Sequence, residues 1–449
     1  MLNVLIFSHS SGLGGAERSL LTLVTDLIKD YNTQITVVLP PDGPSIDLLK
    51  KAGATVLPAP IHLWCTTNKL SYKDEGLERQ LKTFDWLINH LEDLRSLSPD
   101  IILTNTIVIP WGGVAAALLK RPHIWLINEF GELDHGFSFF HPFADVLGLI
   151  EQSSDVIVTR SLAIRETLFP HLEEDQVKTI YRSIELPAEA SRREKPFHSR
   201  STYLLAIIGT IRESKGQQDA VEAVIELRKN CNRQVELVMV GHAEEPYRNA
   251  LTQLARDNGV EEHIHIVPFQ KNVYSIMEQA DAILLCSRME AFSRVTLESM
   301  LVGKPFIGTN TGGTPEMIKD GETGLLYEPG NIPQLVEKIE WLMDHPDWAR
   351  EIAQKATGFA RSTFTKEKYA GEFHKLINSV VSKPYQEKIA FSHFILGLYQ
   401  DLCLQKSAMI RDQEIRNQNL EQEALYYATS KSWRWTEPLR KLTHLFKRK

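Results

Sequence analysis

The chain predicts an α/β protein made of two doubly wound, parallel-sheet domains, and three observations carry that expectation. Apolar runs of strand length alternate with helical patterns from the N-terminus to about residue 375. Runs that are apolar throughout suit strands covered on both faces, the condition of a parallel sheet flanked by helices. A charged, small-residue stretch, AEASRREKPFHSRS, interrupts the alternation midway, after which it begins again. A length of 449 residues also asks for two or three domains rather than one.

The first run, LNVLIF at 2–7, reads as a buried strand that enters a glycine-rich turn and a helix to about Lys29. Further strands are expected at 34–39, 54–57, 100–104, 123–127 and 155–159, which defines a first domain over 1–190. The second series, with strands at 203–208, 235–240, 263–267, 281–286 and 305–308, defines a domain over 200–375, and 188–202 is the linker between them. Residues 376–449 form a helical extension. Its segment 385–427 is helical in pattern, with sparse heptads that would offer an oligomer contact through 400–427. It ends in SKSWRWTEPLRKLTHLFKRK, where seven Lys/Arg accompany one Glu from Lys431 onward. A basic stretch carrying Trp433, Trp435, Leu439, Leu442, Leu445 and Phe446 suits an anionic membrane surface or, equally, a partner-binding helix.

Composition narrows the function. Hydrophobic residues at 43% allow a large core, and a formal net charge of −7 argues against a nucleic-acid partner. Cys65, Cys231, Cys286 and Cys403 are far apart and form no CxxC or zinc spacing, so a reducing compartment is expected. The N-terminus lacks a basic leader and no apolar run reaches about 18 residues, so the expected location is cytoplasmic.

Four segments carry candidate chemistry. SHSSGLGGAERSL follows the first strand; Gly12, Gly14 and Gly15 permit either a plain tight turn or a backbone contact to an anion at a helix start. It is neither GxGxxG nor a P-loop. LLAIIGTIRESKG repeats the strand–turn–helix form. There Gly209 and Thr210 end the strand, and Arg212 and Lys215 are cations beside the next helix start, suited to a diphosphate or simply solvated. In SRMEAFSRVTLESM, Glu290 lies in a loop and Glu298 inside the following helix. Eight residues apart, they are not a dyad, but a carboxylate can accept from a ribose diol or a sugar hydroxyl. Phe292 and Ser293 open that helix, and the small-residue run Thr311-Gly312-Gly313-Thr314 follows after a short strand.

Taken together, GGAE near residue 14, GT…KG at 209–216, the E-x7-E of Glu290 to Glu298 and GG.PE…G.TG.L at 312–325 resemble, in order and over about residues 1–375, the retaining GT-B glycosyltransferases (glycosyl transferases group 1). That large family includes sucrose synthase and bacterial mannosyltransferases; the likeness points to the bacterial surface-polysaccharide type. The resemblance implies a GT-B fold with a cleft between two Rossmann-like domains, and a hexosyltransferase using a UDP- or GDP-sugar donor with no cofactor and no metal. Glu298 matches the ribose-binding glutamate, Glu290 the glutamate near the donor sugar and Lys215 the phosphate-contacting lysine. Phe292, Ser293 and Val295 match the segment lining sugar and phosphate. Gly312 and Gly313 match the loop beside the nucleotide, and Gly14 and Gly15 the first-domain loop near phosphate and acceptor.

Two positions depart from the pattern. Thr210 stands where many relatives have arginine, with Arg212 two residues later as the substitute. Asn128 stands where many have histidine, and an amide can hydrogen-bond a sugar hydroxyl without acting as a proton acceptor–donor pair. Glu129, Glu132, Asp134 and His135 are further candidates nearby. The acceptor side, around Trp111, Phe130 and Phe137, together with the basic tail, implies a saccharide or lipid-linked oligosaccharide acceptor. The alternatives are a sugar-nucleotide epimerase of the same shell and a non-catalytic carbohydrate-binding subunit.

Overall fold

A computed structural model describes residues 1–67, 73–184, 186, 202–270, 272–387, 411, 413–423 and 426. The first domain holds β1 (Asn3–Ser8), β2 (Gln34–Leu39), β3 (Thr55–Pro58), β4 (Cys65–Thr66), β5 (Ile101–Asn105), β6 (His123–Ile127), β7 (Ser138–Phe139), β8 (Val156–Thr159) and β9 (Val177–Thr179). Seven of these form one sheet in the order β3-β2-β1-β5-β6-β8-β9, parallel at each pairing. β4 and β7 pair antiparallel beside it. The second domain holds β10 (Tyr203–Ile208), β11 (Val235–Val240), β12 (Ile264–Val267), β13 (Ala282–Leu285), β14 (Phe306–Thr309) and β15 (Leu325–Tyr327), in the parallel order β12-β11-β10-β13-β14-β15.

The expected fold is thus the observed one. Its cause is visible strand by strand. In β1, Leu5 and Phe7 enter one core cluster while Val4 and Ile6 enter the cluster on the other face. In β10, Leu205 and Ile207 face one core while Leu204 and Ala206 face the other. A period of two with both sets apolar gives a sheet buried on both sides.

Each sheet reverses its strand order beside its first strand, between β1 and β5 and between β10 and β13. Loops leaving the carboxyl ends of neighbouring strands diverge there and open a crevice, the usual ligand position of doubly wound sheets. Both crevices open on one interdomain cleft.

Several elements differ from expectation. β9, β15 and the β4–β7 pair were not anticipated, since runs of two or three residues carry too little periodicity to read. The end of the second domain also needs correction. The helix Lys366–Val381 inserts Tyr369, Phe373, Ile377 and Val380 into the first domain's core beside Leu20, Leu23 and Leu27. A boundary at 375 therefore cuts a helix that packs on domain one. Its apolar residues recur at helical spacing, which shows amphipathicity but not which domain receives the stripe.

The linker 188–202 lies almost entirely outside the described residues. So do most of 385–427 and all of the basic tail 430–449. Residues 413–423 are helical and exposed, including Ile415 and Leu420. Among the described residues, no helix is long and apolar enough to cross a membrane.

Candidate active site

The interdomain cleft has a volume of about 1060 Å³. Of the expected site residues, Gly14, Gly15, Asn128, Gly209, Thr210, Lys215, Glu290, Phe292, Ser293, Val295 and Glu298 line it. Arg212, Gly312 and Gly313 do not.

At its centre, Lys215 Nζ donates to Glu290 Oε2 at 2.7 Å, and Ser287 Oγ donates to the same oxygen at 3.0 Å. Burial alone would raise the Glu290 carboxyl, but the Lys215 ammonium and the Ser287 hydroxyl outweigh it and hold the group below its usual range. Two glycines make this meeting possible. Gly216 has φ +62°, and a Cβ there would lie 2.1 Å from the Cys286 carbonyl oxygen. Gly312 has φ +55°, and a Cβ there would lie 2.3 Å from the Glu290 carbonyl oxygen. Left-handed backbone and close approach both demand glycine. Gly312 and Gly313 are therefore supports of the Glu290 loop: Gly313 N–H donates to the Glu290 carbonyl at 2.8 Å. The other end of that loop is tied by Arg288, whose guanidinium forks onto Asp219 at 2.6 and 2.8 Å.

The nine-residue helix Arg294–Val302 starts from Ser293, whose side chain accepts from the Thr296 N–H. Glu298 lies in its interior, at 7% exposure. Tyr274 Oη donates to Glu298 Oε1 at 3.2 Å, and Arg294 Nη2 lies 3.4 Å from the same oxygen. Burial raises the Glu298 carboxyl, with Arg294 and Tyr274 opposing. Phe292 reaches the cleft but is 2% exposed, stacked on Tyr181 at 5.3 Å and edge-on to Phe364 at 5.5 Å. Its ring is mainly core.

Both departures from the pattern find a physical account. Thr210 lines the cleft, and its carbonyl accepts from Gln217 Nε2 at 2.8 Å. Arg212 does not take over its place: Nη2 donates across the cleft to His135 Nδ1 at 2.9 Å, and Nε is buried without a partner. Asn128 is held on both sides. Its Oδ1 accepts from Arg160 Nε at 2.7 Å and its Nδ2 donates to Asn105 Oδ1 at 3.0 Å. Those two bonds fix the amide's orientation and leave it one free N–H.

The segment after β6 contributes more than its sequence suggested. Glu129 Oε1 accepts the Ile107 N–H at 3.0 Å, and burial together with Asp134 pushes its carboxyl up to about 8. Asp134 accepts the Phe130 N–H at 3.0 Å and is raised to about 6, chiefly by burial. His135 is pushed down to about 4 by burial and by Arg212 and Lys215, which leaves the imidazole neutral with Nδ1 accepting. Glu132 is outside the lining.

Sequence reasoning missed Arg182, Tyr274, Ser287 and Arg294. Arg294 and Ser287 stood inside or beside the E-x7-E stretch and could have been found there. Tyr274 and Arg182 carried no local signal. Among the described residues, no group of three or more His, Cys, Asp or Glu is arranged to hold a metal ion.

Residues 189–359 match the family model of the glycosyl transferases group 1. The N-acetyl-alpha-D-glucosaminyl L-malate synthase of Bacillus anthracis is 27% identical over 245 residues, 54% of this chain and 63% of that protein. The chain spans less than two thirds of the length of the curated relatives it matches. Among solved structures, HepE of Anabaena in complex with UDP-glucose superposes with a TM-score of 0.67 at 20% identity, covering 84% of this chain and 100% of that one. Sucrose-phosphate synthase of Thermosynechococcus elongatus gives 0.66 at 17% identity, over 84% and 99%. At such identities the likeness shows the fold, which agrees with the strand orders above: the chain is a GT-B protein related to the glycosyl transferases group 1.

Proposed function

We propose that the protein is a retaining hexosyltransferase that takes a sugar from a UDP- or GDP-sugar and passes it to a saccharide or lipid-linked oligosaccharide acceptor. The observation that carries this reading is the meeting of Lys215 and Glu290 at 2.7 Å, at the switch point of the second sheet, with Glu298 buried beyond them in the same cleft. The solved complexes of HepE with UDP and with UDP-glucose support the choice of donor class. The likeness to WaaG, described as a glycosyltransferase involved in lipopolysaccharide biosynthesis, is the basis for a surface-polysaccharide acceptor.

In this reading Glu298 accepts from the ribose hydroxyls, and Glu290 orients Lys215 and faces the donor sugar. As the bond from sugar to phosphate breaks, negative charge grows on the departing nucleoside diphosphate. Cations fixed beforehand around that position lower the barrier, because they need not reorganise. Closure of the two domains would exclude water that hydrolyses the donor. A cytoplasmic location and a contact of 430–449 with anionic lipid belong to the same proposal and rest on the sequence of that tail.

The test is turnover and binding with a panel of UDP- and GDP-sugars, with product analysis to separate transfer from epimerisation. Glu298→Ala should weaken nucleotide binding. Lys215→Ala should lower turnover by on the order of a hundredfold, about 3 kcal/mol of barrier. Unchanged turnover and affinity in both variants would overturn the assignment.

A further inference from the structure

Four side chains form one hydrogen-bonded row along the carboxyl edge of the first sheet. Ser8 and Asn105 close β1 and β5, Asn128 and Arg160 directly follow β6 and β8, and these four strands are neighbours in that order. Arg160 Nε donates to Asn128 Oδ1 at 2.7 Å, Asn128 Nδ2 to Asn105 Oδ1 at 3.0 Å, and Asn105 Nδ2 to Ser8 Oγ at 3.4 Å. All four residues are buried, and of the four Asn128 alone lines the cleft.

The row has a direction, and Arg160 sets it. An amide presents its oxygen or its nitrogen to a neighbour with nearly the same shape, so amides and a hydroxyl alone could bond in either sense. A guanidinium has donors only. Beside it, Asn128 has to turn its oxygen to Arg160, which sends its nitrogen to Asn105. Asn105 then offers its oxygen and turns its own nitrogen to the Ser8 hydroxyl. A reversed Asn128 would set two donors face to face where water cannot relieve them, which is costly in a buried place. Arg160 is itself held by the helix Lys366–Val381, with its guanidinium carbon 5.2 Å from the Tyr369 ring centroid and 5.5 Å from that of Phe373. The second N–H of Asn128 Nδ2 is not used by the row.

We propose that Arg160 is a positioning residue: acting through Asn128, it fixes a hydrogen-bond donor at the cleft wall, and the group it serves is an oxygen of the sugar carried by the nucleotide donor. The proposal rests on the reading of the cleft as a nucleotide-sugar site. It goes beyond the exchange of histidine for asparagine. An imidazole can offer a donor or an acceptor, according to tautomer and pH. An amide locked by Arg160 offers an N–H, so a sugar position that supplies an oxygen is accepted and one that supplies only a donor is refused.

The experiment compares the parent with Arg160→Met, Arg160→Lys and Asn128→Asp. Calorimetry uses UDP-glucose and GDP-mannose, with UDP and GDP as sugar-free controls, and NMR follows the side-chain amides of protein carrying isotope-labelled asparagine. Arg160→Met frees the amides to reverse. It should bind the nucleotide-sugar that the parent binds roughly three- to tenfold more weakly, the loss of one neutral hydrogen bond, with the matching nucleoside diphosphate unchanged. Arg160→Lys, again a donor only, should recover most of that loss. Asn128→Asp keeps Arg160 paired but offers no N–H; it should show the same sugar-dependent loss, and it decides the matter should Arg160→Met fail to fold. Equal weakening of nucleoside diphosphate and nucleotide-sugar would mean a general loosening of the cleft and would overturn the proposal. Full nucleotide-sugar affinity in Arg160→Met or in Asn128→Asp would overturn it too. If the parent binds none of these nucleotides, the donor reading fails and the sugar falls with it as the group served, while the amide signals still decide the positioning. The Asn128 signals, identified by their absence in Asn128→Asp, should exchange with water faster in Arg160→Met and as in the parent in Arg160→Lys. Unchanged exchange in Arg160→Met would overturn the positioning role.

Discussion

Glu129 illustrates how far a residue's chemistry depends on what surrounds it. In sequence it is one acid among three in NEFGELD. In the fold it lies beside the cleft against Asp134, and its carboxyl is raised from 4.5 to about 8. A carboxyl raised on folding binds its proton more tightly in the native state. Its contribution therefore falls as pH climbs from about 4.5 to about 8. Between pH 6.5 and 8, above the range in which His135 at about 4 and Asp134 at about 6 titrate, Glu129 contributes a falling slope that its removal would take away. Urea unfolding across that window should show the parent losing stability with rising pH and Glu129→Gln losing less. Parallel slopes in the two proteins would refute this account. The candidate residues that were legible, Lys215, Glu290 and Glu298, owe that to fixed offsets within short segments. Arg182 and Tyr274 were not legible, because their partners are more than 20 residues away: Arg182 meets Gly15 and Phe292, and Tyr274 meets Glu298.

At the scale of elements, the helix Lys366–Val381 is the clearest case of packing deciding what periodicity cannot. Thr365 caps it by accepting from the Lys368 N–H, and its stripe of Tyr369, Phe373, Ile377 and Val380 is complementary to the outer face of the Gly15–Tyr31 helix. It also covers Arg160, whose guanidinium lies 5.2 Å from the Tyr369 ring centroid and 5.5 Å from that of Phe373. The helix thus supports the positive field at the cleft as well as the core. Phe373 is fully buried, so Phe373→Ala should cost about 3–5 kcal/mol in denaturant unfolding. A cost below about 1 kcal/mol would mean that the helix is not docked on the first domain.

At the scale of the molecule, the two sheets present their switch points to each other, and the contacts between them come from residues far apart in the chain. Glu316 of the second domain accepts from the Leu162 and Ala163 N–H groups at 2.7 and 2.8 Å, capping a helix of the first, and from Tyr181 Oη at 2.9 Å. Arg212 and His135 make the second crossing. These contacts set the width of the cleft in which both half-sites meet. Beyond the two domains, the tail is argued from charge alone. Deleting 430–449 should release the protein from vesicles containing anionic lipid, and binding that persists unchanged would remove the tail from that role.

The sequence by itself determined the two doubly wound domains, because strands buried on both faces must be apolar throughout and their helices must follow at regular intervals. It also determined the loops that end at the cleft, through the glycines at 216 and 312 and the residues beside them. Only the tertiary structure decided which groups face one another there. It turned Arg212 onto His135, locked Asn128 between Arg160 and Asn105, and left the Arg182 Nε without a hydrogen-bond partner at the cleft wall. The physical reason is that burial and charge pairing are properties of the assembled cleft. No single segment holds both members of a pair drawn from two domains.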